Sequence, residues 1–232
     1  MSPLQKRLQL SDEALKRISD AVRRAEEKTD GEIIVAVAKE SSRYSFWELL
    51  AAVFFALAVF VALLPLAPTV SAWFTAHVWA VPDWYLPAFY GITLFACLAL
   101  FFQIANLPAI DRLIIPAFVQ TEAVSARAFR LFTESGVHNT AHHSGILIYL
   151  SVLERQVRIL ADSGISEKIS ADLWAIVSDD LVADLHTKQY EQAICGAVEK
   201  CGELLSQYYP AQKAEGDELP NGVILLETPG WA

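Results

Sequence analysis

The chain has 232 residues, 54% of them hydrophobic and 19% charged, with a mean hydropathy of +0.34, where a soluble globular domain averages about 45–50% apolar and about 25% charged. The net charge of −9 offers no basic footprint, so no nucleic-acid partner is expected. The charges stand at the two ends: residues 1–43 hold 9 basic and 8 acidic groups, residues 112–232 hold 9 and 16, and no Lys or Arg lies between Tyr44 and Asp111.

Met1 to Gln9 is polar, so no secretory leader is expected there. Ser11 reads as the N-cap of a helix that carries Leu15, Ile18, Val22 and Ala25 along one stripe and stops at Thr29-Asp30-Gly31. Ile33–Ala38 is a short apolar run rich in β-branched residues, the pattern of a buried strand. Residues 46–66 then contain one charge, Glu48, and residues 88–107 contain none. Each run is long enough to cross ~30 Å of hydrocarbon as a helix, and neither has the polar face of a core helix. Glu48 lies one turn into the first run; an ionisable group there is a functional hint, and snorkelling to the nearby interface is its plainer reading. The connection Ala67–Pro87 holds Trp73, Trp79, Trp84 and Tyr85 without a basic residue, as expected of a headgroup belt. All 18 basic residues flank the two runs, which predicts a multi-pass protein of the inner (plasma) membrane with both termini cytoplasmic.

Downstream, the pattern predicts a helix from about Gln120 to Glu134, a buried strand at Ile146–Val152 and another at Val157–Ala161, joined as a hairpin by a tight turn at Leu153–Gln156. Ser166 or Ser170 caps a helix with Leu173, Ile176, Val177 and Leu181 on one face. A last helix starts near Lys188 and stops before Pro210, and Val223–Leu226 is a short apolar run in a polar tail. Cys195 and Cys201 are about 9 Å apart along one helix and Cys97 lies in an apolar span, so no disulfide framework is implied.

A lone helix and strand upstream of the apolar segment cannot bury a core; a strand apolar on both faces needs neighbours. The simplest assembly pairs Ile33–Ala38 with the strands at 146–161 under helices on both faces. The expected fold is an α/β/α sandwich, built from 1–43 and 108–212, interrupted by a two-helix transmembrane hairpin at 44–107 (spans about 46–66 and 88–107) and followed by a polar C-terminal tail at 213–232.

Particular segments carry a resemblance. Thr29-Asp30-Gly31-Glu32-Ile33-Ile34-Val35, Thr140 with Ser144-Gly145-Ile146-Leu147-Ile148-Tyr149-Leu150-Ser151, and Glu154-Arg155-Gln156-Val157-Arg158-Ile159-Leu160-Ala161-Asp162-Ser163-Gly164-Ile165 resemble the conserved stretches of TPM domains. Trp174 falls where that family places a Trp, and Asp217-Glu218-Leu219-Pro220-Asn221 is similar to the tail of its bacterial membrane branch, in which two spans split the domain. That branch often has a basic residue in the strand-entry loop, where this chain has Ala141-His142-His143. The resemblance implies the α/β/α sandwich and a range of roles: family members include a thylakoid acid phosphatase, a photosystem repair factor and a receptor-modulating protein, and some bind calcium.

No GxSxG, Walker A, HExxH or Cys-x5-Arg motif is present. The candidate site residues are four carboxylates. Asp162 follows the third strand and Glu40 the first, both placed at carboxyl ends if those strands are parallel neighbours, and Asp179 and Asp180 on the next helix add oxygen ligands for a hard cation such as Ca2+. The plainer alternative makes Asp179 and Asp180 a solvated helix face and Asp162 a turn cap. His138, His142 and His143 form a second cluster with too few ligands for zinc and read as solvent-facing loop residues. The expected function is a membrane-anchored interaction or assembly module with a protein partner and Ca2+ as its candidate ion. The alternative is a metal-dependent phosphatase acting on phosphomonoesters.

Overall fold

The computed structural model describes residues 1–140, 143–211 and 222–229. These fall into two compact units, one made of Met1–Arg43 and Phe118–Ala232 and the other of Tyr44–Ala117.

The first unit opens with α1 (Pro3–Leu8), started by a reciprocal capping box between Ser2 and Gln5 that buries Leu4 and Leu8 one turn apart. In α2 (Asp12–Glu26) the Ser11 hydroxyl accepts from Ala14 N, and Ala14, Ile18, Ala21, Val22 and Ala25 form the buried stripe. β1 (Glu32–Ala38) follows.

The second unit is all helix: α3 (Ser45–Leu63), α4 (Ala67–His77), α5 (Tyr85–Ala105) and α6 (Pro108–Ile114), with a 3-10 turn at Leu64–Leu66. α3 packs along α5. Ala52 and Ala56, one turn apart, are fully covered and let the helices approach. Phe55 stacks on Phe101 at 5.3 Å, and the Tyr90 hydroxyl donates to the Leu63 carbonyl at 2.8 Å. Most other large apolar side chains of these helices face outward, with Phe46, Phe54, Ile92 and Phe95 each between 68% and 73% exposed. Ser45–His77 and Tyr85–Ala105 are both long and apolar enough to cross a membrane. Glu48, near the start of α3, is buried, as is Asp111 in α6.

α7 (Ala117–Glu134) leads back to the first unit, which continues through β2 (Gly145–Ser151), β3 (Gln156–Ala161), α8 (Ser163–Lys168), α9 (Ala171–His186), α10 (Tyr190–Tyr208) and β4 (Val223–Leu226). The strands form one mixed sheet in the order β3-β2-β1-β4. β1 runs parallel to β2 in unbroken register from Glu32↔Gly145 to Ala38↔Ser151, and parallel to β4 from Val35↔Val223 to Ala38↔Leu226. β2 and β3 are an antiparallel hairpin. Part of the expected polar tail is therefore an edge strand, and 213–221 and 230–232 lie outside the described residues, the Asp217–Asn221 motif among them.

Because strand side chains alternate, β1 feeds two cores. Ile33, Val35 and Val37 point with Ile146, Ile148 and Leu150 into α2, α9 and α10. Ile34, Ala36 and Ala38 point with Leu147 and Tyr149 into α7. Trp174 belongs to the first of these cores. Two close approaches require glycine. A Cβ on Gly145 would run into the carbonyl oxygen of Val137, and one on Gly202 in α10 would meet Ala25 Cβ of α2 at 2.6 Å.

Candidate functional site

The parallel pair β1–β2 ends at Ala38 and Ser151, and two backbone bonds carry the pairing past it: Val152 N donates to Ala38 O and Leu153 N to Lys39 O, both at 3.0 Å. These bonds hold the segment leaving β1 against the β2–β3 turn, and a buried polar chain forms between them. Tyr149 OH lies 3.0 Å from Ser41 Oγ, Ser41 Oγ donates to Ser151 Oγ at 2.9 Å, and Ser151 Oγ donates to a Glu154 carboxylate oxygen. The other carboxylate oxygen of Glu154 accepts from Ser41 N at 2.9 Å. Since Ser41 and Ser151 each have one proton to give, Tyr149 is the donor at the head, and the protons point one way from phenol to carboxylate. All four residues are buried. Burial raises the Tyr149 phenol above its usual range, and the charge of Glu154 adds to this, while the Ser41 hydrogen bond and the charge of Arg127 oppose it.

A recess of about 210 Å³ opens beside this chain, lined by Ser41 and Ser42 on one side and by Glu122, Ala123, Arg127 and Arg130 of α7 on the other. Arg127 Nε is buried there without a hydrogen-bond partner among the described residues. With the Ser41 proton committed to Ser151, the recess offers the Ser42 hydroxyl and the Arg127 and Arg130 guanidiniums beside the Glu122 carboxylate, and its cationic side suits a small oxyanion.

The four carboxylates expected to converge do not. β3 is antiparallel to β2, so Asp162, which follows it, is at the amino-terminal end of the parallel pair: its amide donates to Gly145 O at 2.9 Å. Glu40 is at the opposite end, roughly 20 Å away at about 3.3 Å per residue along the seven-residue β2. Glu40 pairs with neighbouring Lys39 at 3.5 Å. Asp162 caps α8, accepting from Ser163 N at 2.6 Å, and meets His143 Nδ1 at 3.3 Å. Asp179 is exposed on α9, and Asp180 pairs with Lys200 of α10 at 2.7 Å. Among the described residues no three His, Cys, Asp or Glu side chains gather to hold a metal. Of the histidine cluster, His138 lies against the Phe132 ring, His143 is largely exposed beside Asp162, and His142 lies outside the described residues.

The sequence hides this buried chain because a glutamate in a turn reads as solvated. Its signal was Ser151 and Glu154 bracketing the end of an all-buried strand, with Ser41 at the matching distance past β1.

Residues 110–204 match the TPM domain. The matched stretch holds α7, β2, β3, α8, α9 and most of α10, but neither β1 nor β4, which flank it in sequence and complete the sheet. Comparison with curated proteins finds no match. Among solved structures, this chain is similar to the NMR structure of BA42 protein from the psychrophilic bacterium Bizionia argentinensis. The two are 21% identical with a TM-score of 0.54, over 93% of this chain and 94% of that one. At that identity the likeness speaks to the fold alone.

Proposed function

We propose that the chain is a membrane-anchored interaction or assembly module. In this reading a TPM-type α/β/α domain stands at the cytoplasmic face of the inner (plasma) membrane, held by a two-helix hairpin, and presents its surface to a protein partner. The register of β1 against β2 carries the reading. A chain that leaves a sheet at Ala38 and returns to the same sheet at Gly145 has to come back to the side it left, so any crossings of lipid between them are even in number. The intervening segment supplies two helices of sufficient length with outward-facing Phe and Ile side chains. The basic residues lie only outside it, which supports cytoplasmic termini. A Ca2+ ion held jointly by Glu40, Asp162, Asp179 and Asp180 has no support in their separation, and the module is proposed without it.

The test is fractionation and labelling. The protein should stay with the membrane pellet through alkaline carbonate extraction. With Cys97, Cys195 and Cys201 replaced, Ser71→Cys should react with an impermeant maleimide in intact cells, and Ser206→Cys only after permeabilisation. Release by carbonate, or the reverse labelling, overturns the reading.

One observation favours phosphomonoester hydrolysis as a second reading: the unpartnered Arg127 Nε beside the Ser41–Ser42 recess. It requires turnover of p-nitrophenyl phosphate by the purified chain and its loss in Arg127→Ala. Metal dependence is read by repeating the assay with a chelator. No turnover in the unsubstituted protein ends this reading.

A further inference from the structure

On the other face of the sheet, at the same end, a cavity of about 460 Å³ is open to solvent. Its floor is apolar, made by Val37 of β1, Leu150 of β2, Val182 and Leu185 of α9 and Ile194 of α10. Its rim is basic: Arg7 from the end of α1, Arg155 from the β2–β3 turn, His186 from the end of α9 and Lys188 just beyond it. No carboxylate is among the described lining residues, although acidic residues outnumber basic ones by 27 to 18 in the chain. Arg7, Arg155 and Lys188 have no ion pair among the described residues, so their charge is uncommitted.

The backbone singles out the same rim. Four non-glycine residues among those described have positive φ, and three of them line this cavity: Gln9 at 54°, Arg155 at 52° and Lys188 at 63°. Each sits at a turn where glycine would be the unstrained choice. A long polar or cationic side chain stands there instead, from three different turns, around one opening.

We infer that this cavity binds a small anionic amphipath, a molecule with one carboxylate-like or phosphate-like head and an apolar body. The head meets Arg155, Lys188 and Arg7 at the rim, and the body covers Leu150, Leu185 and Ile194. The volume falls in the range of small-molecule sites, which combine an apolar lining with a few placed polar groups. The inference is independent of the oxyanion recess by Arg127, which is lined by a different set of residues.

Octanoate is the probe, titrated calorimetrically into the full chain in neutral phosphatidylcholine nanodiscs, with empty nanodiscs as the blank. Acetate tests the head alone and octanol the body alone. Octanoate should bind saturably at one site per chain, at least tenfold tighter than either control. The double substitution Arg155→Gly, Lys188→Gly should weaken it at least tenfold and leave the thermal midpoint equal or higher, because glycine accepts both turn conformations. Arg127→Ala should leave octanoate binding unchanged. Absence of saturable binding, equal binding by octanol or by acetate, or undiminished binding in the folded double variant each overturns the assignment.

Discussion

The helices of the two units solve the burial problem in opposite ways. In α2, five apolar residues form one stripe and the charges Lys16, Arg17, Asp20, Arg23 and Arg24 cover the rest. In α3 and α5 the tight contact is made by Ala52 and Ala56, while Phe46, Phe54, Ile92 and Phe95 face outward. A water-facing helix hides its large residues, whereas one facing hydrocarbon gains nothing by hiding them and packs through small ones. In the membrane reading proposed above the contrast is one of solvent, and substitutions can break it.

The largest expected effect is in the sheet unit. Gly145→Ala drives a methyl into the Val137 carbonyl and should cost about 4 kcal/mol or more, enough to unfold a domain of ordinary stability. Limited proteolysis should show the sheet unit digested while the Tyr44–Ala117 segment remains in the carbonate-resistant pellet. Simultaneous loss of both would mean that the two units do not fold separately.

A matched pair tests solvent directly. Phe95 in α5 is 73% exposed and Phe129 in α7 is 63% exposed. If α5 crosses the membrane as proposed, Phe95→Arg near its middle should cost about 2.5–3.5 kcal/mol of insertion, and Phe129→Arg on a wet surface within about 0.5 kcal/mol. The fraction recovered in carbonate-washed membranes reads the difference. Equal effects would remove the basis for two solvents.

Cys201 sharpens the sheet unit's side of the comparison. Burial pushes its thiol up to about 12, from a usual value of 9.0. The folded state holds this proton more tightly than the unfolded chain does, so the stability it contributes is intact below pH 9 and is lost as pH rises towards 12. By pH 10.5 the loss should be about 2 kcal/mol. Cys201→Ala should abolish that part of the alkaline decline in urea unfolding between pH 8 and pH 10.5, leaving the parts from Cys195 and Tyr149, both also raised by burial.

The smallest effect belongs to the exposed pair Lys200–Asp180. Asp180→Asn should change domain stability by about 0.5 kcal/mol or less, and by less still at high salt. A large loss would mean that Asp180 has a task beyond the helix surface.

Much of the sheet was legible. Ile33–Ala38, Ile146–Val152 and Val157–Ala161 announce strands by their β-branched and aliphatic runs, and Leu153–Gln156 announces the hairpin. Val223–Leu226 was not decidable, because four apolar residues owe their extended form to the edge of β1, a tertiary partner. α1 is hard to read from sequence: six residues give little periodicity, although Ser2, Gln5 and the Leu4–Leu8 spacing mark it. The site was harder to read because carboxylates were grouped by their place after strands, and strand direction decides which end of the sheet that is. Glu40 and Asp162 fall at opposite ends for this reason, and the buried Glu154 replaces them at the carboxyl end of the parallel pair.

Among the described strands β1 alone has a parallel neighbour on each side, and it is also the first to be made. The ribosome adds about a hundred residues before Gly145 emerges, roughly 5–20 s at ordinary elongation rates, and β4 comes later still. Through that interval Ile33–Ala38 has two apolar faces and neither of the strands that flank it in the finished sheet. The sheet can close around β1 only after that delay, and until then neither edge of this strand has its mate.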